Sequence, residues 1–91
     1  AGCVLAPAFG AEPLPLRRRA VMRALQLMLG RDARVETASV EAVLAAFDDE
    51  AGGKPRSGYV ANIQGDLAVS ANKRGARIEP MSAYRARRKR G

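Results

Sequence analysis

The apolar positions of this chain change their period once, near residue 52. Before that point they recur at helical spacing, and after it they alternate. The longest apolar stretch, Leu14 to Leu29, predicts a first helix. Leu16, Ala20, Ala24 and Leu27 make one stripe, and Val21, Leu25 and Met28 make its neighbour. Together they predict a wide apolar side facing a core. Pro15 suits the first turn, where its missing N–H is not needed, and Gly30 supplies a left-handed stop. Arg19, Arg23 and Gln26 follow at i, i+4 and i+7 on the opposite face, with Arg18 beside them. Arg17 lies closer to the apolar side, where a structural role is expected. A second helix reads Val40, Val43, Leu44 and Phe47, capped by Thr37 or Ser39. It closes at Asp48-Asp49-Glu50. Acids at a helix C-terminus oppose the macrodipole, so these either pair with arginines or face solvent.

Residues 51–58, with three glycines and Pro55, predict a mobile loop. Tyr59 to Ile63 then reads as a short strand, Gln64-Gly65-Asp66 as a turn, and Leu67 to Ala71 as a second strand with Leu67, Val69 and Ala71 on one face. Asn72-Lys73-Arg74-Gly75 is another turn, and Ala76 to Glu79 a third strand stopped by Pro80. The expected architecture is α+β: a helical hairpin over 14–50, a glycine-rich loop over 51–58, a small antiparallel β-meander over 59–79, and a basic tail over 80–91, disordered or weakly helical. The meander needs the helix pair against its Leu67/Val69/Ile78 face to be stable. Residues 1–13 read as an extension, or as the cut end of a preceding element.

Composition narrows the class. Ninety-one residues make at most one small domain. The hydrophobic fraction is 47%, but much of it is alanine and only 4% is aromatic, so the core is thin and a neighbouring domain or partner is expected to support it. The net charge is +7, from 16 basic and 9 acidic residues. Five bases fall in Arg85 to Arg90, so the body is only mildly basic. Cys3 is the single cysteine, which excludes an internal disulfide and fits a reducing, cytoplasmic setting. Ala1-Gly2-Cys3 resembles the end of a lipoprotein signal, but no charged and apolar regions stand before it; an excised domain is the expectation. No apolar run reaches the roughly 20 residues of a membrane span.

Candidate chemistry is sparse. The chain has no histidine, which excludes a Cys–His or Ser–His nucleophile and the common zinc sites. Gly52-Gly53-Lys54-Pro55 lacks the spacing and the hydroxyl of a Walker loop. Asp48, Asp49 and Glu50 are adjacent and diverge, which suits magnesium poorly. No residue set reads as catalytic, and no cofactor is expected on this chain. Nucleic acid is the partner class that the arginines fit, through phosphate neutralisation and counterion release. The candidate contacts are Arg18, Arg19 and Arg23 on the first helix, Lys73 and Arg74 at the hairpin tip, and Arg87 and Arg88 in the tail. A solvated arginine face is the plainer alternative. Tyr59 and Tyr84 are too few for a stacking platform, so phosphate or shape recognition is expected. Two helices and a hairpin also describe a winged helix. The second helix, however, carries Glu41 and the three acids and no lysine or arginine, which phosphate would repel. A third alternative has the first helix docking on a protein partner, and a homodimer stays open.

The segment Leu14-Pro15-Leu16-Arg17-Arg18-Arg19-Ala20-Val21-Met22-Arg23 resembles the helix that follows the catalytic domain in bacterial tRNA(Ile)-lysidine synthases, roughly Leu-Pro-x-x-Leu-Arg-Arg-Arg-x-Leu-Arg. Ser39 to Phe47 is similar to that family's next helix. Ile63-Gln64-Gly65-Asp66-Leu67-Ala68-Val69 resembles its Leu-Pro-Gly-Gly-x-x-Val hairpin, and Gly75 to Glu79 its return strand. The likeness spans about Pro13 to Glu79. Gln64 stands where the family has proline, and Ser70, Ala71 and Asn72 replace arginines, which weakens any strand-borne RNA contact. The resemblance implies a parent ligase that uses ATP and magnesium to attach lysine to the wobble cytidine of an isoleucine tRNA. The Ser-Gly-Gly-x-Asp-Ser phosphate loop of its catalytic domain is not among these residues. The resemblance therefore implies a tRNA-contacting module, with tRNA and the catalytic domain as its partners.

Overall fold

A computed structural model describes residues 2–90 and shows a mixed α+β fold. In chain order the elements are β1 (Cys3–Leu5), a 3-10 turn (Pro7–Ala11), α1 (Leu14–Leu29), α2 (Thr37–Leu44), β2 (Phe47–Asp48), β3 (Lys54–Pro55), β4 (Val60–Ile63), β5 (Leu67–Asn72), β6 (Gly75–Pro80) and α3 (Met81–Arg90). The four-stranded antiparallel sheet has the order β1-β6-β5-β4, and β2 pairs with β3 in a separate ribbon. In the main sheet, Val69 lies opposite Ile78 and Ala61, while Ser70 lies opposite Arg77 and Val60. That register puts Leu67, Val69, Ala71, Ala76 and Ile78 on one face, where all are buried.

This face meets the buried sides of α1 and α2. Val21 and Leu25 from α1, and Val40, Val43 and Leu44 from α2, complete the core with Phe47 and Ile63. Only half of the predicted apolar side of α1 is used. Val21 and Leu25 are fully buried, but Leu16 is 53% exposed, Ala20 is exposed, and Leu27 is 82% exposed. At 100° per residue, Leu16, Ala20, Arg23 and Leu27 lie on one line opposite Leu25. A sheet this narrow, with α2 beside it, covers one stripe and leaves the other outward. Gly30 does end α1, but at φ 110° and ψ 155°, an extended glycine conformation rather than the expected left-handed turn. Gln26 contributes to the stop as well: its Nε2 donates to the carbonyls of Gly30 at 2.7 Å and Ala33 at 2.8 Å. It is a C-terminal cap, not part of an arginine row.

The helical hairpin is shorter than expected. Neither Thr37 nor Ser39 caps α2, whose N-cap is Glu36 without a side-chain bond. The helix stops at Leu44, and Phe47 joins β2 instead of a last helical turn. Asp48 and Asp49 therefore do not sit at a helix C-terminus. Asp48 accepts from the Glu50 N–H at 3.0 Å and lies 3.5 Å from Arg56, and Asp49 pairs with Arg17 at 3.2 Å. The segment 51–58, expected as a mobile loop, is tied down. Gly53 N–H donates to Asp48 O and Arg56 N–H to Ala46 O, each at 2.8 Å.

Residues before Pro13 also belong to the fold rather than to a detached end. Cys3 lies opposite Ile78 and Leu5 opposite Ala76, so β1 forms one edge of the sheet. The 3-10 turn then crosses β3 with backbone against backbone. A Cβ added to Gly10 would lie 1.8 Å from the Gly53 carbonyl oxygen, so only glycine fits. The tail is the largest departure. It forms α3, which begins directly after Pro80 with Met81 buried and covers the sheet face opposite the core. Two residues on that face record the cover: Ala68 is fully buried and Glu79 is 5% exposed.

Candidate nucleic-acid interface

The seven arginines and lysines singled out in the sequence do not share one surface. Arg18, Arg19 and Arg23 lie on α1, on the core side of the sheet. Lys73, Arg74, Arg87 and Arg88 lie on the hairpin end and α3, where the outer face begins. The sheet and core stand between the two groups.

The α1 group is partly engaged in structure. Arg17 is only 6% exposed. Its Nε donates to Glu12 O at 2.7 Å, its Nη2 pairs with Asp49, and its Nη1 is buried with no partner among the described residues. It ties the start of α1 to the segment after β2. Arg18 pairs with Glu41 of α2. Arg19 and Arg23 are exposed and make no ion pair among the described residues, but they are interleaved with exposed Leu16, Ala20 and Leu27. This is a mixed apolar and basic face, not a row of arginine.

The other group is built by strand alternation and by the return of α3. In β6, Ala76 and Ile78 point to the core, so Arg77 points outward, opposite Ser70 and Val4. At the turn, Asn72 Oδ1 accepts from the Arg74 N–H at 2.7 Å, which folds Lys73 and Arg74 into an exposed tip. A 10-residue helix rising ~1.5 Å per residue brings α3 back along β6, toward this tip. Arg87 reaches under the helix to Glu79, with Nε 3.4 Å from Oε1 and Nη2 on Oε2. The hydrogen bond to Glu79 raises the Arg87 pKa further above its usual range, against the opposing effect of burial. Arg87 is thus an anchor whose charge the buried carboxylate balances. Arg88 Nη1 donates to the Tyr84 hydroxyl at 3.0 Å.

Two clefts flank Arg87 on this face. One is lined by Val4, Ser70, Asn72, Arg74, Arg77 and Arg87, the other by Val60, Ser70, Asn72, Tyr84, Arg87 and Arg88 among others. They hold about 160 and 250 Å³. Both fall below the ~300–1,000 Å³ of common small-molecule pockets.

Charge divides as the geometry does. Residues 1–66 hold eight basic and eight acidic residues, and residues 67–91 hold eight basic residues and one acid, Glu79. The entire +7 therefore resides in the β5–β6–α3 part, and its one acid is buried under Arg87. Sequence reasoning passed over Arg77, read Ser70 and Asn72 only as positions that lack an arginine, and set Tyr84 aside as one of too few tyrosines for a stacking platform. The alternation of β6 was the available signal for Arg77. The place of Tyr84 beside these residues depends on where α3 packs.

Among the described residues no group of three or more histidine, cysteine, aspartate or glutamate side chains is placed to hold a metal ion. No described helix is long and apolar enough to cross a membrane. Burial raises the Cys3 thiol pKa, which works against a reactive thiolate. Comparison of the chain with protein-family models, curated proteins and solved structures finds no match.

Proposed function

We propose that this chain is a tRNA-contacting module that grips the phosphate backbone with its hairpin tip and α3. One observation carries the reading: the whole net charge falls within the β5–β6–α3 segment, whose single acid, Glu79, is paired with Arg87. Lys73, Arg74, Arg77 and Arg88 are exposed in that segment and make no ion pair among the described residues. Such a surface attracts a polyanion through counterion release and carries no sequence code of its own. The resemblance to tRNA(Ile)-lysidine synthases supplies tRNA as the RNA and a cytoplasmic ligase as the parent. ATP and magnesium then belong to the parent's catalytic domain, and no residue here is assigned to them. The apolar outer stripe of α1, Leu16, Ala20 and Leu27, is where we place the contact with that domain, because the resemblance puts α1 directly after it. A winged-helix reading has less support, since the exposed positions of α2 are Thr37, Ala38 and Glu41, without a base.

The test is fluorescence anisotropy with a labelled isoleucine tRNA transcript across a salt series. Combining Lys73→Gln, Arg74→Gln and Arg77→Gln is expected to weaken binding at least tenfold. It should also lower the log–log salt slope by about 0.7–0.9 for each phosphate left without its cation. Combining Arg19→Gln and Arg23→Gln is expected to change affinity less than about twofold. Salt-independent binding, or a larger loss from the α1 pair than from the hairpin set, overturns the proposal.

A further inference from the structure

The cleft on the β4–β5 side of α3 contains more than charge. One wall is Tyr84 with Arg88. The opposite wall is Val60, an apolar side chain left 45% exposed at the sheet edge, and Ser70 and Asn72 form the floor. We propose that this cleft takes one unpaired RNA nucleotide, with its base against the Tyr84 ring and Val60 and its phosphate on Arg88. The inference rests on the backbone-binding reading above and assigns that surface a base subsite.

Four observations lead to it. The Arg87 and Arg88 guanidiniums lie 5.7 and 5.8 Å from the Tyr84 centroid, at the outer limit of a cation–π contact, so neither closely covers the ring. Arg88 instead holds the hydroxyl at the ring edge, which fixes the plane of the ring. Tyr59, which also borders the cleft, sends its hydroxyl to Ala42 O at 2.6 Å on the core side, so Tyr84 is the stacking ring. The floor has hydrogen-bonding capacity to spare: the Ser70 hydroxyl makes no bond among the described residues, and Asn72 uses only Oδ1, leaving its amide to donate. An aromatic face, an apolar wall and polar groups at the floor match the faces and edge of a nucleobase.

Position supplies the rest. The tyrosine cleft adjoins the Arg74/Arg77 cleft through Ser70, Asn72 and Arg87. A backbone lying over the basic cleft delivers its next nucleotide to Tyr84. Bases inside a duplex are already stacked and cannot enter, so the subsite favours a loop, an end or a flipped base.

The experiment compares a short fluorescein-labelled oligoadenylate with a blunt RNA duplex of equal length, each over the same salt series. Tyr84→Leu keeps an apolar side chain under α3 but removes the π-face. It should weaken the single strand roughly 5- to 150-fold, the span for losing a stacked aromatic, and leave the duplex within about twofold. Tyr84→Phe should keep both affinities within about threefold. Val60→Ser should weaken the single strand alone. Circular dichroism of each variant reports whether α3 persists. If Tyr84→Leu disrupts α3, Val60→Ser decides by itself. An unchanged single-strand affinity, or an equal loss on both probes, overturns the subsite while leaving the backbone reading intact. Absence of salt-dependent binding to either probe by the unsubstituted chain overturns both.

Discussion

Removing Arg87 should cost this protein more than removing its partner Glu79. The asymmetry follows from burial. The Glu79 side chain is 7% exposed, and that of Arg87 is 43% exposed. In Arg87→Met, a carboxylate stays beneath α3 without its cation. Breaking a fully buried pair in this way costs about 3–5 kcal/mol. Here the penalty is capped, because α3 can lift and let water reach Glu79. We expect about 2–3 kcal/mol, close to the loss of one or two charge-assisted hydrogen bonds. In Glu79→Gln, an amide of the same shape still accepts from Arg87, whose charge already reaches solvent. About 1 kcal/mol is expected there. For a domain of this size, 1 kcal/mol moves Tm by roughly 4–8 °C. Arg87→Met should therefore melt roughly 8–24 °C below the parent, and Glu79→Gln roughly 4–8 °C below. Urea unfolding followed by circular dichroism gives the free energies, and limited trypsin digestion reports whether α3 opens first. Equal losses for the two variants, or a larger loss for Glu79→Gln, would refute the reasoning.

Other expectations follow from single contacts. Gln64 accepts from the Glu36 N–H, donates from Nε2 to Arg34 O at 2.8 Å, and donates its backbone N–H to Ser39 Oγ at 3.1 Å; Gln64→Ala removes the two side-chain bonds and should cost about 1–3 kcal/mol by urea titration. Leu27→Gln, at an 82% exposed position, should leave the urea midpoint within about 0.5 kcal/mol of the parent, while a larger loss would mean that α1 packs with its other stripe inward. Burial raises the Cys3 thiol pKa, so the folded chain holds that proton at a pH where the unfolded chain has released it. Stability should then fall as pH rises through the free-thiol range near 8.5, and iodoacetamide should modify the native chain more slowly than the urea-unfolded chain.

The parts legible in the sequence are those set by neighbours along the chain. Pro15 and Gly30 bound α1, and both turns of the meander carry glycine at positive φ, Gly65 at 72° and Gly75 at 120°. Alternation placed Leu67, Val69 and Ile78 inward. What escaped depends on partners far away. β1 is three residues long and is a strand only because β6 lies beside it. The basic run after Pro80 reads as a repelling tail, and its order depends on Glu79, eight residues before Arg87, and on burial of Met81. Period alone marks both apolar stripes of α1 as core, since choosing one requires knowing the width of the sheet. The site shares this difficulty. Lys73, Arg74, Arg87 and Arg88 were visible as charges, but their union with Arg77 and Tyr84 exists only once α3 turns back. Gln64 looked like a departure from the proline of the resembling family; here its N–H and side chain bond three separate groups, a role proline cannot fill.

The pairing of β1 with β6 also sets an order of events in time. Cys3 must meet Ile78, so β1 finds its place only after every other strand of this fold has been made. Closing a loop of that length costs on the order of 4 kcal/mol by chain statistics. That cost is offset only once the β5–β6 hairpin stands ready with the α1–α2 pair behind it. During synthesis, then, Cys3 to Leu5 emerges as an unpaired apolar segment and waits. The chaperone-sensitive interval of this fold opens when β1 is made and closes when β6 arrives beside it.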